Sequence, residues 1–511
     1  MMDPTRACAP AITDLPTAQA LITALQEQLA SSRQEVVALR HQLDVLCQRL
    51  FGKKSERVDP RQLQLALAQL ANEPGPVTEP LEMDSGETPV RGHARRRSTG
   101  RRPLPAHLPR RRVEIDVAET DKTCACGHPR TRIGETVTSK LEYAPASFLV
   151  IDTVRAKYGC PHCHTGVVEA AAPPQAVERA LAGEGLLAHV VVSKYADHLP
   201  LHRLAGIFAR EGVDLSRTTL CDWVADVATA LAPIGAQLRR EVVAADYLQT
   251  DDTSVTVLGD QGGSFKGRLW VYLDPVGRQV VFDATATHER DGPAAWLADF
   301  RGKLQADAYA GYDGLYQTGH VVEIACMAHA RRRFVEAFAM DGSAALTVAL
   351  IQQLYQVERA AADLSPDARR ARRREQSVPL LAQLKDERDR LAGLVLPKSP
   401  LGDALRYLTN QWDALQRFVD DGRLSIDNNR AENQLRVVAV GRKNWLFAGS
   451  MAGAHRAALL YSLVQSCKLV DVPPFAYLKD VLVRVATHPH RDIAQLTPRA
   501  WAHTFGPARL A

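Results

Sequence analysis

The sequence predicts a multidomain protein of mixed α+β and α/β class, with a sheet-containing core, helical modules before and within it, and one small cysteine-paired module. Three observations predict this. A leucine heptad runs near the start, two close cysteine pairs follow, and from Val242 the apolar pattern changes from helical spacing to strand alternation and later back. At 511 residues the chain has room for several domains. With 46% hydrophobic and 24% charged residues it groups with globular rather than disordered chains. No apolar run is long enough to span a bilayer and no secretory signal is read, so no membrane is expected and the expected location is the cytoplasm. A net charge of +5 is too small to name a partner, so any nucleic-acid argument rests on local clusters. Nine cysteines, four of them in two close pairs, favour metal in a reducing compartment over disulfides.

Residues 17–50 carry Ile22, Leu25, Leu29, Ser32, Val36, Leu39, Leu43, Leu46 and Leu50, in steps that alternate three and four. This predicts a coiled-coil helix and self-association, as a homodimer or larger assembly. Residues 72–112 read as a disordered linker, acidic and Pro/Gly-rich at first and then basic. Arg95, Arg96 and Arg97 stand in its basic tract, where flexible guanidinium groups suit phosphate contacts. Residues 113–175 read as a zinc-ribbon-like domain. Cys124 and Cys126 form one pair, Cys160 and Cys163 the other, and strand-like sequence lies between. Four thiolates offer soft tetrahedral ligands for a structural Zn²⁺.

Residues 183–236 predict a helix-turn-helix unit: helices over Leu186–Tyr195 and Leu201–Arg210, a turn at Gly212, and a third helix capped by Ser216 and running through Trp223. Arg217, Thr218 and Thr219 would sit on the first turn of the reading helix. Residues 242–334 read as the first part of the core, with strands at 247–258, 267–273, 279–283, 303–306 and 321–326 and a short helix over 293–300. Three strands, a helix, then a strand ending at a carboxylate is the order of ribonuclease-H-like sheets. It would set Asp251 and Asp307 side by side.

Residues 335–423 read as a helical insertion, with one amphipathic helix over Leu401–Val419. Its cluster Arg369, Arg370, Arg372, Arg373 and Arg374 reads as a solvated face. Cys326 and His329, at i,i+3 spacing, read as packing and orienting residues. Residues 424–470 complete the core, and 471–511 form a C-terminal helical element. The stretch LSIDNNRAENQLRVVAVGRKNWLFAGS sets Glu432 on a helix, followed by Arg442, Lys443 and Trp445. A carboxylate beside cations and an aromatic suits a site that holds metal ions against a DNA backbone.

Taken together, LFGKKSE, LPAHLPRRRV, the cysteine pairs, DHLPLHRLAGIFAREGVDLSRTTLCDWV, QTDDTSVTVL, LQADAYAGYDGL, MAHARRRF, SIDNNRAENQLRVVAVGRKNWLFAGS and DVPPFAYLKDVLVRV resemble the large transposase of the insertion-sequence-66 family over nearly the whole chain. The chain departs from the family pattern at Asp252, where Glu is more usual, at the CxC spacing of the first cysteine pair, and at Val437, where Pro is common. The resemblance implies a DDE transposase that cuts the ends of a mobile element and joins them to target DNA. Asp251, Asp307 and Glu432 fall on its acidic positions. It implies two Mg²⁺ or Mn²⁺ ions, bridged by Asp251 and completed by Asp307 and Glu432, and double-stranded DNA as partner. Small companion proteins of the same element would be further partners. The same core could also serve a structure-specific nuclease or a non-catalytic DNA-binding regulator.

Overall fold

The computed structural model describes residues 180–506 apart from 260–261, with short pieces at 148, 150–151, 157–159, 167–169 and 174–177. The coiled-coil segment, the basic linker with Arg95, Arg96 and Arg97, and Cys124, Cys126, Cys160 and Cys163 lie outside the described residues. Of the cysteine-paired module, two short strands are described, β1 (Lys157–Gly159) and β2 (Val167–Glu169). They pair antiparallel with Lys157 opposite Glu169.

Three helices open the main body: α1 (Glu184–Tyr195), α2 (Leu201–Arg210) and α3 (Arg217–Val243). Ser216 caps α3 as the sequence predicts, its Oγ accepting from Thr219 N–H at 3.0 Å. The helix does not end near Trp223 but runs on to Val243. Its apolar positions keep helical spacing throughout, with Leu220, Trp223, Val227, Leu231, Ile234 and Leu238 all buried. Those side chains join the same hydrophobic cluster as the sheet.

The sheet has five strands: β3 (Tyr247–Leu258), β4 (Ser264–Asp274), β5 (Gln279–Thr285), β6 (Gly302–Gln305) and β7 (Val321–Ile324). A short helix, α4 (Asp291–Trp296), lies between β5 and β6, and α5 (Asp313–Gln317) between β6 and β7. The strand order is β5-β4-β3-β6-β7. β3, β4 and β5 run antiparallel, while β6 and β7 run parallel to β3. β5 is an edge strand with its ladder groups satisfied by a helix. Phe282 N–H donates to Ser462 Oγ at 2.8 Å and Val280 N–H to Ser466 Oγ at 3.0 Å; Ser466 Oγ–H donates back to Val280 O. Both serines belong to a later helix, Met451–Leu469.

After β7 come α6 (Met327–Phe338), α7 (Ala345–Ala360), α8 (Pro366–Arg372), a π-helical turn Arg373–Ser377, and α9 (Val378–Ala392). The single helix predicted over Leu401–Val419 is instead broken into α10 (Pro400–Asn410), α11 (Trp412–Gln416) and a 3₁₀ turn Arg417–Asp420. The break at Gln411 lets the segment dock on the end of β7. Ala325 N–H donates to Ala414 O at 3.2 Å, and the Arg417 guanidinium donates to Glu323 O. The arginine cluster is a solvated face only in part, at Arg370 and Arg374. Arg369 donates to Ala361 O, Ala362 O and Gly422 O, Arg372 to Ala360 O, and Arg373 is fully buried. Gly422 packs so tightly that a Cβ there would overlap the Pro366 carbonyl oxygen. Gly422→Ala is therefore expected to cost about 2 kcal/mol or more in denaturant unfolding, since backbone rather than a side chain must yield.

The chain closes with α12 (Asn429–Trp445), α13 (Met451–Leu469), α14 (Pro474–Val485) and α15 (Pro498–Thr504). No helix among the described residues is long and apolar enough to cross a membrane.

Candidate active site

Strand register places the first two carboxylates. β3 and β6 pair in parallel up to Gln249 opposite Gln305. Asp251 lies two residues further on within β3 and Asp307 two residues past Gln305, just beyond the end of β6, and the negative charge of Asp307 reaches the Asp251 carboxyl. Glu432 comes from the first turn of α12, which packs across β3.

A buried polar lattice sets where α12 begins. Gln249 Nε2 donates to Asp427 O at 2.9 Å and to Gln305 Oε1 at 2.9 Å, and Gln305 Nε2 donates to Ser425 O at 2.9 Å. Tyr247 hydroxyl donates to Gln305 Oε1 and accepts from Ser425 N–H at 3.2 Å. Asn428, fully buried, donates from Nδ2 to Thr250 O at 3.2 Å. Asp427 Oδ2 accepts from Tyr355 hydroxyl at 2.9 Å and from Asn429 Nδ2 at 2.8 Å. Below this, the Arg373 guanidinium grips both oxygens of Glu358, at 2.8 and 2.6 Å, and donates to Phe418 O, Asp421 O and Leu424 O. Tyr355 and Glu358 both sit on α7, so the helical insertion clamps the loop that leads into α12. A π-helical turn at Arg373 fits a helix distorted to aim one side chain.

The electrostatics follow from crowding carboxylates in a half-buried place. The Asp251 carboxyl is pushed up to about 7, first by burial and then by the negative charges of Asp307 and Glu432. A backbone N–H from Asp252 opposes the shift. The Asp252 carboxylate is engaged elsewhere, by Arg268 at 2.8 Å and His288 at 3.2 Å. His329 Nε2 stands 3.6 Å from Glu432 Oε1, and Arg332 Nη2 3.9 Å from Glu432 Oε2. Neither Glu432 Oε1 nor His329 Nδ1, both buried, has a hydrogen-bond partner. Burial holds the His329 imidazole below its ordinary range. Burial pushes the Cys326 thiol up to about 12, so it stays protonated at the start of α6 and serves packing.

Asp251, Asp252, Thr253, Glu432, Asn433 and Arg436 line an open cleft of ≈ 480 Å³. Among the described residues no group of three or more His, Cys, Asp or Glu side chains is spaced to hold a metal ion. Carboxylate oxygens are hard donors of the kind a divalent cation takes; Glu432 Oε1 is buried without a partner, and the Asp251 carboxyl is pushed up beside its acidic neighbours.

The other predicted contact residues are scattered. Arg217 and Thr218 are exposed on the first turn of α3, and the Thr219 hydroxyl lies 2.9 Å from Ser216 Oγ. The Arg442 guanidinium turns onto β3, donating to Thr253 Oγ1 at 2.8 Å and to Ser254 O. Lys443 is exposed and Trp445 half-buried. Sequence reasoning missed Gln249, Gln305, Tyr355, Glu358 and Arg373. A signal existed for the glutamines: LQTD and LQAD repeat one pattern, a buried amide two residues ahead of each aspartate.

Comparison with known proteins fits this architecture. A family model described as "Transposase IS66 family" matches residues 179–456. Residues 38–113 match "Transposase C of IS166 homeodomain", 121–164 the "zinc-finger binding domain of transposase IS66", and 462–499 the "IS66 C-terminal element". Three proteins of Sinorhizobium fredii (strain NBRC 101917 / NGR234) are similar along most of their length. Uncharacterized protein y4hP is 33% identical over 494 residues, 91% of this chain and 89% of that protein. Uncharacterized protein y4jD is 33% identical over 474 residues (88% and 92%), and uncharacterized protein y4qI 31% over 506 (95% and 92%). No solved structure matches the chain. These family matches, with a mixed sheet and many helices in the described residues, are the parts of a multidomain transposase. The chain belongs to the IS66 transposase family.

Proposed function

We propose that the chain is a DDE transposase whose core is ribonuclease-H-like and whose Asp251, Asp307 and Glu432 carry the reaction. The observation that carries this reading is the register. Parallel pairing through Gln249 and Gln305 supports Asp251 and Asp307 as neighbours, and the Asn428 and Asp427 contacts at the start of α12 support Glu432 as the third member. The strand order, three antiparallel strands followed by two parallel ones, supports the fold assignment.

Mg²⁺ or Mn²⁺ held by the three carboxylates would supply charge neutralisation at the phosphorus and activation of the attacking oxygen. The chain's own part is positioning. The lattice under α12 fixes Glu432 relative to the strands, and Arg332, half-exposed beside Glu432, is placed to face a phosphate. Cleavage adds water oxygen to phosphorus as the P–O3′ bond breaks, freeing the 3′-hydroxyl of the element end. That hydroxyl then attacks a target phosphate, its oxygen bonding to phosphorus as the target strand's own P–O3′ bond breaks and leaves a free 3′-hydroxyl, so no protein nucleophile is required. Structural Zn²⁺ would be held by Cys124, Cys126, Cys160 and Cys163. Arg217, Thr218, Thr219, Lys443, Trp445 and the tract Arg95–Arg97 would contact DNA, and the heptad helix would pair two copies across two ends, in the bacterial cytoplasm.

The test is incubation of full-length protein and Mg²⁺ or Mn²⁺ with duplexes bearing the ends of the encoding element plus a target plasmid. Cut and joined products are expected. Cut products without joined ones would turn the reading to a nuclease, and neither would turn it to a DNA-binding regulator.

A further inference from the structure

The face of α12 that borders the cleft continues well past Glu432. Asn433, Arg436, Val440 and Lys443 recur at i, i+3, i+7 and i+10, all but Asn433 within one arc with Glu432 and Asn433 at its margin, and all four are exposed. Asn433 and Arg436 line the same cleft as Asp251 and Glu432. Among the described residues the side chains of Asn433, Arg436 and Lys443 make no hydrogen bond or ion pair. Several other polar side chains around them are engaged. Arg442 is bound to β3, Asn429 to Asp427, and Arg369, Arg372 and Arg373 to backbone carbonyls or Glu358. Unspent amide and cationic donors, rigidly mounted on a helix beside the carboxylates, are fitted to an external acceptor.

The chemistry of the arc suits duplex DNA. A carboxamide pairs in two-point fashion with the edge of adenine, and arginine or lysine meets phosphate. From Asn433 to Lys443 the helix rises about 15 Å, at about 1.5 Å per residue, which matches about four base steps. Resting on the transposase reading of the cleft, we propose that α12 reads the element end. Asn433 contacts the base edge beside the bond to be cut, while Arg436 and Lys443 hold the phosphates that follow. The helix that delivers Glu432 then also selects which end is cut, so recognition and chemistry share one rigid body.

The test uses full-length protein and end duplexes in which the terminal base pair is each of the four possibilities. Binding is measured by fluorescence anisotropy in Ca²⁺ and cleavage in Mg²⁺. Wild type is expected to prefer one terminal pair. Asn433→Ala should lose about tenfold on that pair and level the four to within about twofold. Arg436→Ala should weaken all four equally and make the salt dependence shallower by about one unit of slope. Both positions are exposed, so thermal unfolding of the variants should match wild type. An Asn433→Ala protein that keeps the wild-type preference, or a wild type that binds all four ends alike, overturns the proposal. Preferential binding without any cleavage would leave the proposal standing and remove the transposase reading instead.

Discussion

Asp251→Asn is expected to abolish cation-dependent end cleavage, by about a thousandfold or more, while making the metal-free protein more stable than wild type at pH 8. The first half follows from the proposed function, in which Asp251 is a metal ligand. The second follows from linkage. The Asp251 carboxyl titrates near 7 in the fold against an ordinary value of 3.8, so between those values the folded state holds a proton that the unfolded chain has released. Wild-type stability therefore falls as pH rises across that window and stays lowered above it. Asparagine has nothing to ionise and skips this loss. Melting temperatures of the two proteins, compared from pH 4 to 8 without metal, should separate progressively and reach a constant gap above about pH 7. Adding Mg²⁺ should narrow the gap by stabilising wild type alone. Parallel melting curves across the range would show that Asp251 is not the strained member of the cluster.

Arg373→Met should destabilise the protein by about 3–5 kcal/mol in denaturant unfolding. The guanidinium has no exposed surface and holds Glu358 together with three loop carbonyls. Its loss leaves a carboxylate uncompensated and strands those acceptors. Arg373→Met with Glu358→Leu should recover part of the loss, because the unpaired charge goes too. A gentler probe is Tyr355→Phe, which removes only the hydroxyl that donates to Asp427. It should fold and bind DNA normally yet need several-fold more Mg²⁺ for half-maximal cleavage, since the start of α12 is less firmly set. An Arg373→Met protein within about 1 kcal/mol of wild type would refute the clamp.

The strands were readable in place because strand alternation and turn residues are local signals. Helix α2 was readable to its last residue for the same reason, as was the Ser216 cap. What could not be read was anything settled by distant partners. Nothing local in the run of arginines tells Arg373, which is buried against Glu358, from Arg370, which faces solvent. Nothing local stops the helix expected over Leu401–Val419 at Gln411; the docking of Ala414 and Arg417 on β7 does that. Likewise α3 outruns the helix-turn-helix because its later apolar positions meet the sheet and Met451–Leu469. Arg442 looked like a free cation from its neighbours in sequence, and only the fold shows its donors occupied by β3.

The placement of the helical insertion has a consequence in time. During synthesis, Asp251 and Asp307 leave the ribosome well before Glu432, and the buttress of Tyr355, Glu358 and Arg373 emerges between them. A nascent or prematurely terminated chain that stops short of residue 429 would lack the third acid while retaining its upstream modules. Such fragments would lack α12 as well, so the buttress is made before the helix it holds in place.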